Sequence, residues 1–136
     1  ETDEKEMGLR KILNFGHTFA HAYEATLRYS KKLNHGEAVI LGIKTAAKFS
    51  LSNNILSIKE FNLIENHLNK LSLPGNINKF FSIKNLNKIL SFMKKDKKNN
   101  ANKINLVLLK KIGSPTYKLQ FDEKKIHHFL RKELIK

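Results

Sequence analysis

The chain contains no cysteine and no long hydrophobic run. Without cysteine, a disulfide framework and a thiolate metal site are both excluded, as is common for proteins of a reducing cytoplasm. A membrane-spanning helix needs about 18 apolar residues in succession, and a secretory signal needs a charged start before an apolar stretch. The sequence shows neither pattern, so we expect a cytoplasmic protein with no membrane partner.

Acidic residues are also scarce: there are 12, against 26 lysines and arginines, which gives a formal net charge of +14. Such a charge suggests nucleic-acid binding, because a basic face displaces counterions from phosphate backbones. However, only Arg10, Arg28 and Arg131 are arginines, and the lysines are scattered among asparagines and isoleucines along the chain. This indicates a compositional bias. A basic nucleic-acid-binding module stays the alternative of a different class, but we expect no nucleic-acid partner.

A length of 136 residues with 40% hydrophobic content fits one core, so we expect a single domain over residues 1–136. Periodicity and capping signals predict a mainly α helical bundle. The first two predicted helices cover residues 9–28 and 36–52, and the third runs from a cap at Ser57 with Glu60 to about Leu71. The fourth covers residues 86–95, and the last follows a cap at Asp122. Between the last two, INLVLL and TYKLQF predict a short two-stranded β element near residues 104–121.

The first predicted helix carries one polar stripe. At about 100° per residue, five polar side chains fall within a sector of roughly 80°; they are Arg10, Asn14, His17, His21 and Glu24. The rest of the circumference is mostly apolar, so we expect protein to enclose the helix and the polar stripe to face a cleft. A buried arginine there needs an anionic partner that the helix itself does not supply.

Histidines in and near the polar stripe suggest a metal site. His17 and His21 are four residues apart and could share a metal ion, although two buried histidines with hydrogen-bond partners are the simpler alternative. His35 starts the second helix, which a short return brings beside the first. Catalytic zinc usually has three protein ligands. The chain offers two good ligands and no obvious third.

Three segments carry a family resemblance: LRKILNFGHTFAHAYE, LNHGEAVILG, and DKK ahead of INLVLLKKIG. Together they closely resemble the carboxyl-terminal domain of 3-dehydroquinate synthases, over nearly the whole chain and most specifically in its first 50 residues. The resemblance implies the metal- and substrate-binding domain of a larger two-domain enzyme. We therefore expect further sequence upstream, and no activity from this chain alone.

The resemblance also implies the metal ligands. His17 and His35 match the family's zinc ligands, and the third family ligand is a glutamate that lies upstream of this chain. Glu24 and Glu37 are therefore not expected to be that ligand. One departure from the family is Ala20, where glycine is common; it affects local packing geometry rather than chemistry.

The substrate and acid–base residues follow in the same way. His21 and Glu6 match acid–base positions, although Glu6 is also a capping-box partner for Asp3. Arg10 and Asn14 match substrate-binding positions. Lys97 and Lys98 lie in the DKK motif, from which the family uses one lysine to bind phosphate. A simpler alternative is that the two lysines are only solvated charges on a loop.

The family converts 3-deoxy-D-arabino-heptulosonate 7-phosphate to 3-dehydroquinate and phosphate, in the shikimate pathway to aromatic amino acids. By resemblance, the cofactors are Zn²⁺, or another divalent metal such as Co²⁺, and NAD bound mainly by the missing amino-terminal domain. The partners are the sugar phosphate substrate and a second copy of the enzyme in a homodimer. Another sugar phosphate cyclase or a metal-dependent polyol dehydrogenase of the same superfamily stays an alternative.

Overall fold

The computed structural model describes residues 15–28, 32–71, 76–94, 102–108 and 117–136. Within these residues the fold is mainly α with one two-stranded antiparallel sheet, as predicted. The helices are α1 (His17–Thr26), α2 (His35–Ser52), α3 (Ile58–Asn69), α4 (Leu86–Met93) and α5 (Glu123–Leu134), and the strands are β1 (Lys103–Leu108) and β2 (Tyr117–Asp122). Two 3₁₀ turns, Ile77–Lys79 and Ile83–Asn85, precede α4. In the part of the chain described, no helix is long and apolar enough to cross a membrane.

Helix α1 does not run through Gly16, so the prediction of one helix over residues 9–28 is wrong at that position. Gly16 is the N-cap of α1, and Arg28 leaves the helix with a left-handed φ of 55°. Gly16 lies against α2, where a Cβ would be 2.4 Å from the backbone nitrogen of Ile43, so no side chain fits at this position. The predicted residues 9–14 lie outside the described residues.

Helices α1 and α2 approach each other closely around two glycines. A Cβ on Gly42 would lie 2.5 Å from the carbonyl oxygen of Gly16 and 2.8 Å from the Cβ of Ala20. Since real Cβ atoms do not come this close, both positions require glycine at the present helix separation. The methyl group of Ala20 is accommodated in this crossing, where it is buried.

Side-chain caps mark the starts of two of the described helices, α2 and α3. Ser57 Oγ accepts the backbone N–H of Glu60 at 3.2 Å, as expected for the start of α3. Asn34, which we did not predict as a cap, forms a full capping box with Glu37 and starts α2 one residue earlier than predicted. Asp122 occupies the N-cap position of α5, but its side chain makes no cap hydrogen bond.

The carboxylate of Asp122 is instead engaged by the ammonium group of Lys103 on the neighbouring strand. This hydrogen bond and its charge lower the pKa of Asp122. The prediction of a side-chain cap at Asp122 is therefore wrong, because a cross-strand lysine competes for the same oxygen atoms.

The sheet covers one side of the helical core. Ile104, Leu106 and Leu108 alternate with half-buried residues along β1 and are fully or almost fully buried. In the antiparallel register Ile104 pairs with Phe121 and Leu106 with Leu119. The observed strands extend the predicted element by one residue at each end.

The core is centred on the α1–α2 pair. Phe49 of α2 meets Phe121 of β2 and Phe129 of α5 edge to face, at centroid distances of 4.9 and 5.2 Å. Glu133, only 7% exposed, links α5 to this core by accepting a hydrogen bond from Lys48 of α2. The described helices and the sheet therefore pack as one unit, with one face of α1 left at the surface.

Candidate metal site

Helix α1 presents its buried and polar faces on opposite sides, as the sequence predicts. Phe19 and Tyr23 are 1% and 0% exposed, whereas His17 and His21 are exposed. Within the described residues, this exposure differs from that expected of two buried core histidines. The histidine part of the polar stripe is an open surface of the described structure.

His17 and His21 lie side by side on this surface. Their ring centroids are 6.3 Å apart and their planes differ by 14°, as expected for side chains one helical turn apart. Glu24 continues the stripe one turn later, with 13% of its side chain exposed. The three side chains therefore offer two imidazoles and one carboxylate in a row.

His35 joins the Glu24 end of this row from α2. Its Nδ1 lies 3.1 Å from Oε1 and 3.2 Å from Oε2 of Glu24, and its side chain is 79% exposed. The capping box sets this position, because the Asn34 side chain accepts the Glu37 N–H at 2.8 Å and so fixes the first turn of α2. The predicted return of the chain thus brings His35 beside the polar stripe.

Glu24 and Glu37, which are not expected to be the third ligand, both have other partners. Glu37 accepts the backbone N–H of Asn34 at 3.0 Å, and Glu24 faces His35. Across the described ranges, no group of three or more histidines and carboxylates is arranged to hold a metal ion. The expectation that His17 and His35 are two ligands and that the third lies upstream of this chain stays a prediction.

The donor set nonetheless fits a divalent metal. Histidine imidazole is a preferred ligand of zinc and similar ions, and a metal-bound histidine usually has its other ring nitrogen hydrogen-bonded to a carboxylate. His35 has this arrangement with Glu24. A ligand role for His35 would then use Nε2, the nitrogen that does not face Glu24.

Five predicted site residues lie outside the described residues; they are Glu6, Arg10, Asn14, Lys97 and Lys98. Their roles stay predictions. Sequence reasoning also missed one contact, the pairing of Glu24 with His35. A signal for it existed, since Glu24 lies two turns beyond His17 on the same stripe, but the partner comes from another helix.

Comparison with known proteins identifies the family. Residues 1–99 match the family model described as 3-dehydroquinate synthase C-terminal. The chain is 76% identical over all 136 residues to the 3-dehydroquinate synthase of Pelagibacter ubique (strain HTCC1062), and 45% identical over 114 residues, 83% of the chain, to that of Endomicrobium trichonymphae. It spans only 37% and 30% of these two relatives.

A solved structure shares the fold. A 2-deoxy-scyllo-inosose synthase complexed with carbaglucose-6-phosphate, NAD+ and Co2+ matches 89% of this chain and 33% of its own, with a TM-score of 0.66 and 24% identity. At that identity the likeness establishes the architecture alone. The family model and the sequence relatives carry the assignment: the chain belongs to the 3-dehydroquinate synthase family and corresponds to its carboxyl-terminal domain.

Proposed function

We propose that the full-length protein containing this chain is a 3-dehydroquinate synthase. It converts 3-deoxy-D-arabino-heptulosonate 7-phosphate to 3-dehydroquinate and phosphate, with NAD and a divalent metal ion, Zn²⁺ in the first place. The observation that carries this proposal is the 76% identity over the whole chain to a relative of that name. Because the chain spans about a third of that relative, the activity is proposed for the full-length protein only.

His17 and His35 would hold the metal ion. Both imidazoles are exposed, and Glu24 lies 3.1 Å from Nδ1 of His35, so Nε2 would be the ligating atom of His35. When bound, a divalent cation supplies a Lewis acid that lowers the proton affinity of a substrate hydroxyl. The Co2+ and NAD+ in the solved neighbour support a divalent metal and NAD as cofactors here.

His21 would act on the substrate beside that metal. Its ring lies next to that of His17, and its exposure leaves the imidazole accessible to an anionic group of the substrate. An imidazole can donate a hydrogen bond to a phosphate oxygen and can accept or release a proton near neutral pH. We therefore assign His21 the orientation of the leaving phosphate and a proton-transfer role.

The remaining parts of the proposal come from residues outside the described ranges. Glu6 would share the acid–base role, while the cationic and amide groups would hold the anionic ends of the substrate; these groups are Arg10, Asn14, Lys97 and Lys98. A guanidinium fork suits a carboxylate or phosphate because it forms two parallel hydrogen bonds. A homodimer and a cytoplasmic location also belong to the proposal.

The test uses the full-length protein supplied with the heptulosonate phosphate and NAD. We expect release of phosphate and formation of 3-dehydroquinate, loss of both after treatment with a chelator, and recovery on addition of Zn²⁺ or Co²⁺. His17→Ala and His35→Ala should lose bound metal and turnover. His128→Ala, which removes an exposed histidine of α5, is the matched control and should retain both.

Two results would contradict the proposal. If His17→Ala kept stoichiometric metal and normal turnover, the metal assignment would be wrong. If the protein released no phosphate from the heptulosonate but cyclised a hexose 6-phosphate, it would be another sugar phosphate cyclase of the same fold.

A further inference from the structure

The carboxylate of Glu24 is directed at His35. Both of its oxygens lie within 3.2 Å of Nδ1 of His35. The Glu24 side chain is mostly buried at 13% exposure, whereas that of His35 is 79% exposed. Within the described residues Glu24 forms no ion pair with a lysine or arginine. The imidazole is therefore the partner that this carboxylate is placed to hold.

Both sides of this contact are fixed by the fold. Glu24 belongs to α1, whose position against α2 is set by the close approach of Gly16 and Gly42. His35 belongs to the first turn of α2, which the Asn34 capping box holds. The distance between the carboxylate and the imidazole is thus determined by packed backbone. Among the described residues, Glu24 is the hydrogen-bond partner of the His35 ring, whose side chain is otherwise largely exposed.

We propose that Glu24 is a positioning residue for His35. Its carboxylate accepts the Nδ1–H, which places the imidazole lone pair on Nε2 and turns that nitrogen outward to a metal ion. The inference rests on the proposed function, which makes His35 a ligand. Loss of such a partner typically weakens metal binding 10- to 100-fold without removing the site.

The experiment titrates Zn²⁺ into the metal-free full-length protein in competition with a chromophoric chelator. Glu24→Ala should bind Zn²⁺ about 10- to 100-fold more weakly. Glu24→Gln keeps an acceptor oxygen but loses the charge, so it should show a smaller loss. Glu37→Gln is the matched control, because it removes a charge from the same helix turn while glutamine preserves the capping box. It should bind Zn²⁺ like the wild type.

A second measurement reads the imidazole directly. In the metal-free protein with ¹⁵N-labelled histidine, His35 should carry its proton on Nδ1 in the wild type and in Glu37→Gln. The Nε2–H tautomer should become populated in Glu24→Ala. Should Glu24→Ala not fold, the weaker Zn²⁺ binding of Glu24→Gln decides the question in its place.

The contrary outcomes are distinct. Unchanged or tighter Zn²⁺ binding in the Glu24 variants, with loss of binding in His35→Ala, would overturn the positioning role and leave the proposed function standing. Complete loss of Zn²⁺ binding in Glu24→Ala, equal to that in His35→Ala, would make Glu24 a ligand and would also overturn the positioning role. A wild-type protein that binds no Zn²⁺, or whose His35→Ala variant binds it normally, would refute the proposed metal site itself.

Discussion

Replacing Thr45 by valine should destabilise the chain more than replacing Tyr23 by phenylalanine, although both changes remove the same hydrogen bond. The Tyr23 hydroxyl lies 2.8 Å from Oγ1 of Thr45, and Thr45 donates its own proton to the carbonyl oxygen of Leu41, also at 2.8 Å. Tyr23 must therefore be the donor in the shared bond. Both side chains are buried, at 0% and 4% exposure.

The magnitudes follow from what each substitution leaves behind. Thr45→Val leaves the Tyr23 O–H buried without an acceptor, which should cost about 1–3 kcal/mol. Tyr23→Phe leaves Thr45 still bonded to Leu41, so its cost should be about 0.5–1.5 kcal/mol. In the double variant no stranded donor remains. The two losses should then be non-additive by an amount on the order of 1 kcal/mol.

Urea unfolding followed by far-ultraviolet circular dichroism measures these free energies of unfolding. The wild type, both single variants and the double variant complete the cycle. The assignment of Tyr23 as the donor would be refuted if Tyr23→Phe cost more than Thr45→Val, or if the two losses simply added.

Three further predictions concern packing and titration. Gly42→Ala should lower the free energy of unfolding by about 1–3 kcal/mol, because its methyl group meets backbone that cannot retreat; Gly36→Ala, where a Cβ meets nothing closer than 3.5 Å, should not destabilise in the same urea assay. Lys103→Met should raise the pKa of Asp122 in a carboxyl NMR titration, since the lysine lowers it. In the wild type this pairing stabilises the fold at pH values above the ordinary carboxyl pKa, and the stabilisation is lost as the pH falls through the lowered pKa of Asp122. Burial raises the pKa of Tyr23, so the folded chain retains a proton that the unfolded chain loses above about pH 10. Above that pH, the free energy of unfolding should fall more steeply in the wild type than in Tyr23→Phe, by up to about 1.4 kcal/mol per pH unit. Equal slopes of the two proteins in pH-dependent unfolding would contradict this.

The elements of the fold that depend on short-range sequence patterns can be predicted from the sequence. The β-rich segment INLVLL predicts β1, and the observed burial alternates along it because side chains alternate between the faces of a strand. Ser57 marks the start of α3 because a side-chain oxygen can reach the free N–H of the first turn within three residues. The polar stripe likewise predicts that His17 and His21 lie on the side of α1 that faces away from the core.

The features that the sequence could not predict are contacts between residues far apart along the chain. The close packing at Gly16 involves backbone in α2, which is 27 residues away at Ile43. Asp122 is a good N-cap residue by local rules, yet Lys103 takes its carboxylate across the sheet. The link between Lys48 and Glu133 joins residues 85 positions apart, and neither residue carries a local signal for it.

The candidate site divides in the same way. The sequence by itself determined the family, the histidines His17, His21 and His35, and the face of α1 on which the first two lie, since helical period and motif are local properties. Only the tertiary structure decided that Glu24 faces Nδ1 of His35. That contact requires the separation and register of two packed helices, which depend on the meeting of Gly16 with Gly42 and on the Asn34 capping box at the start of α2.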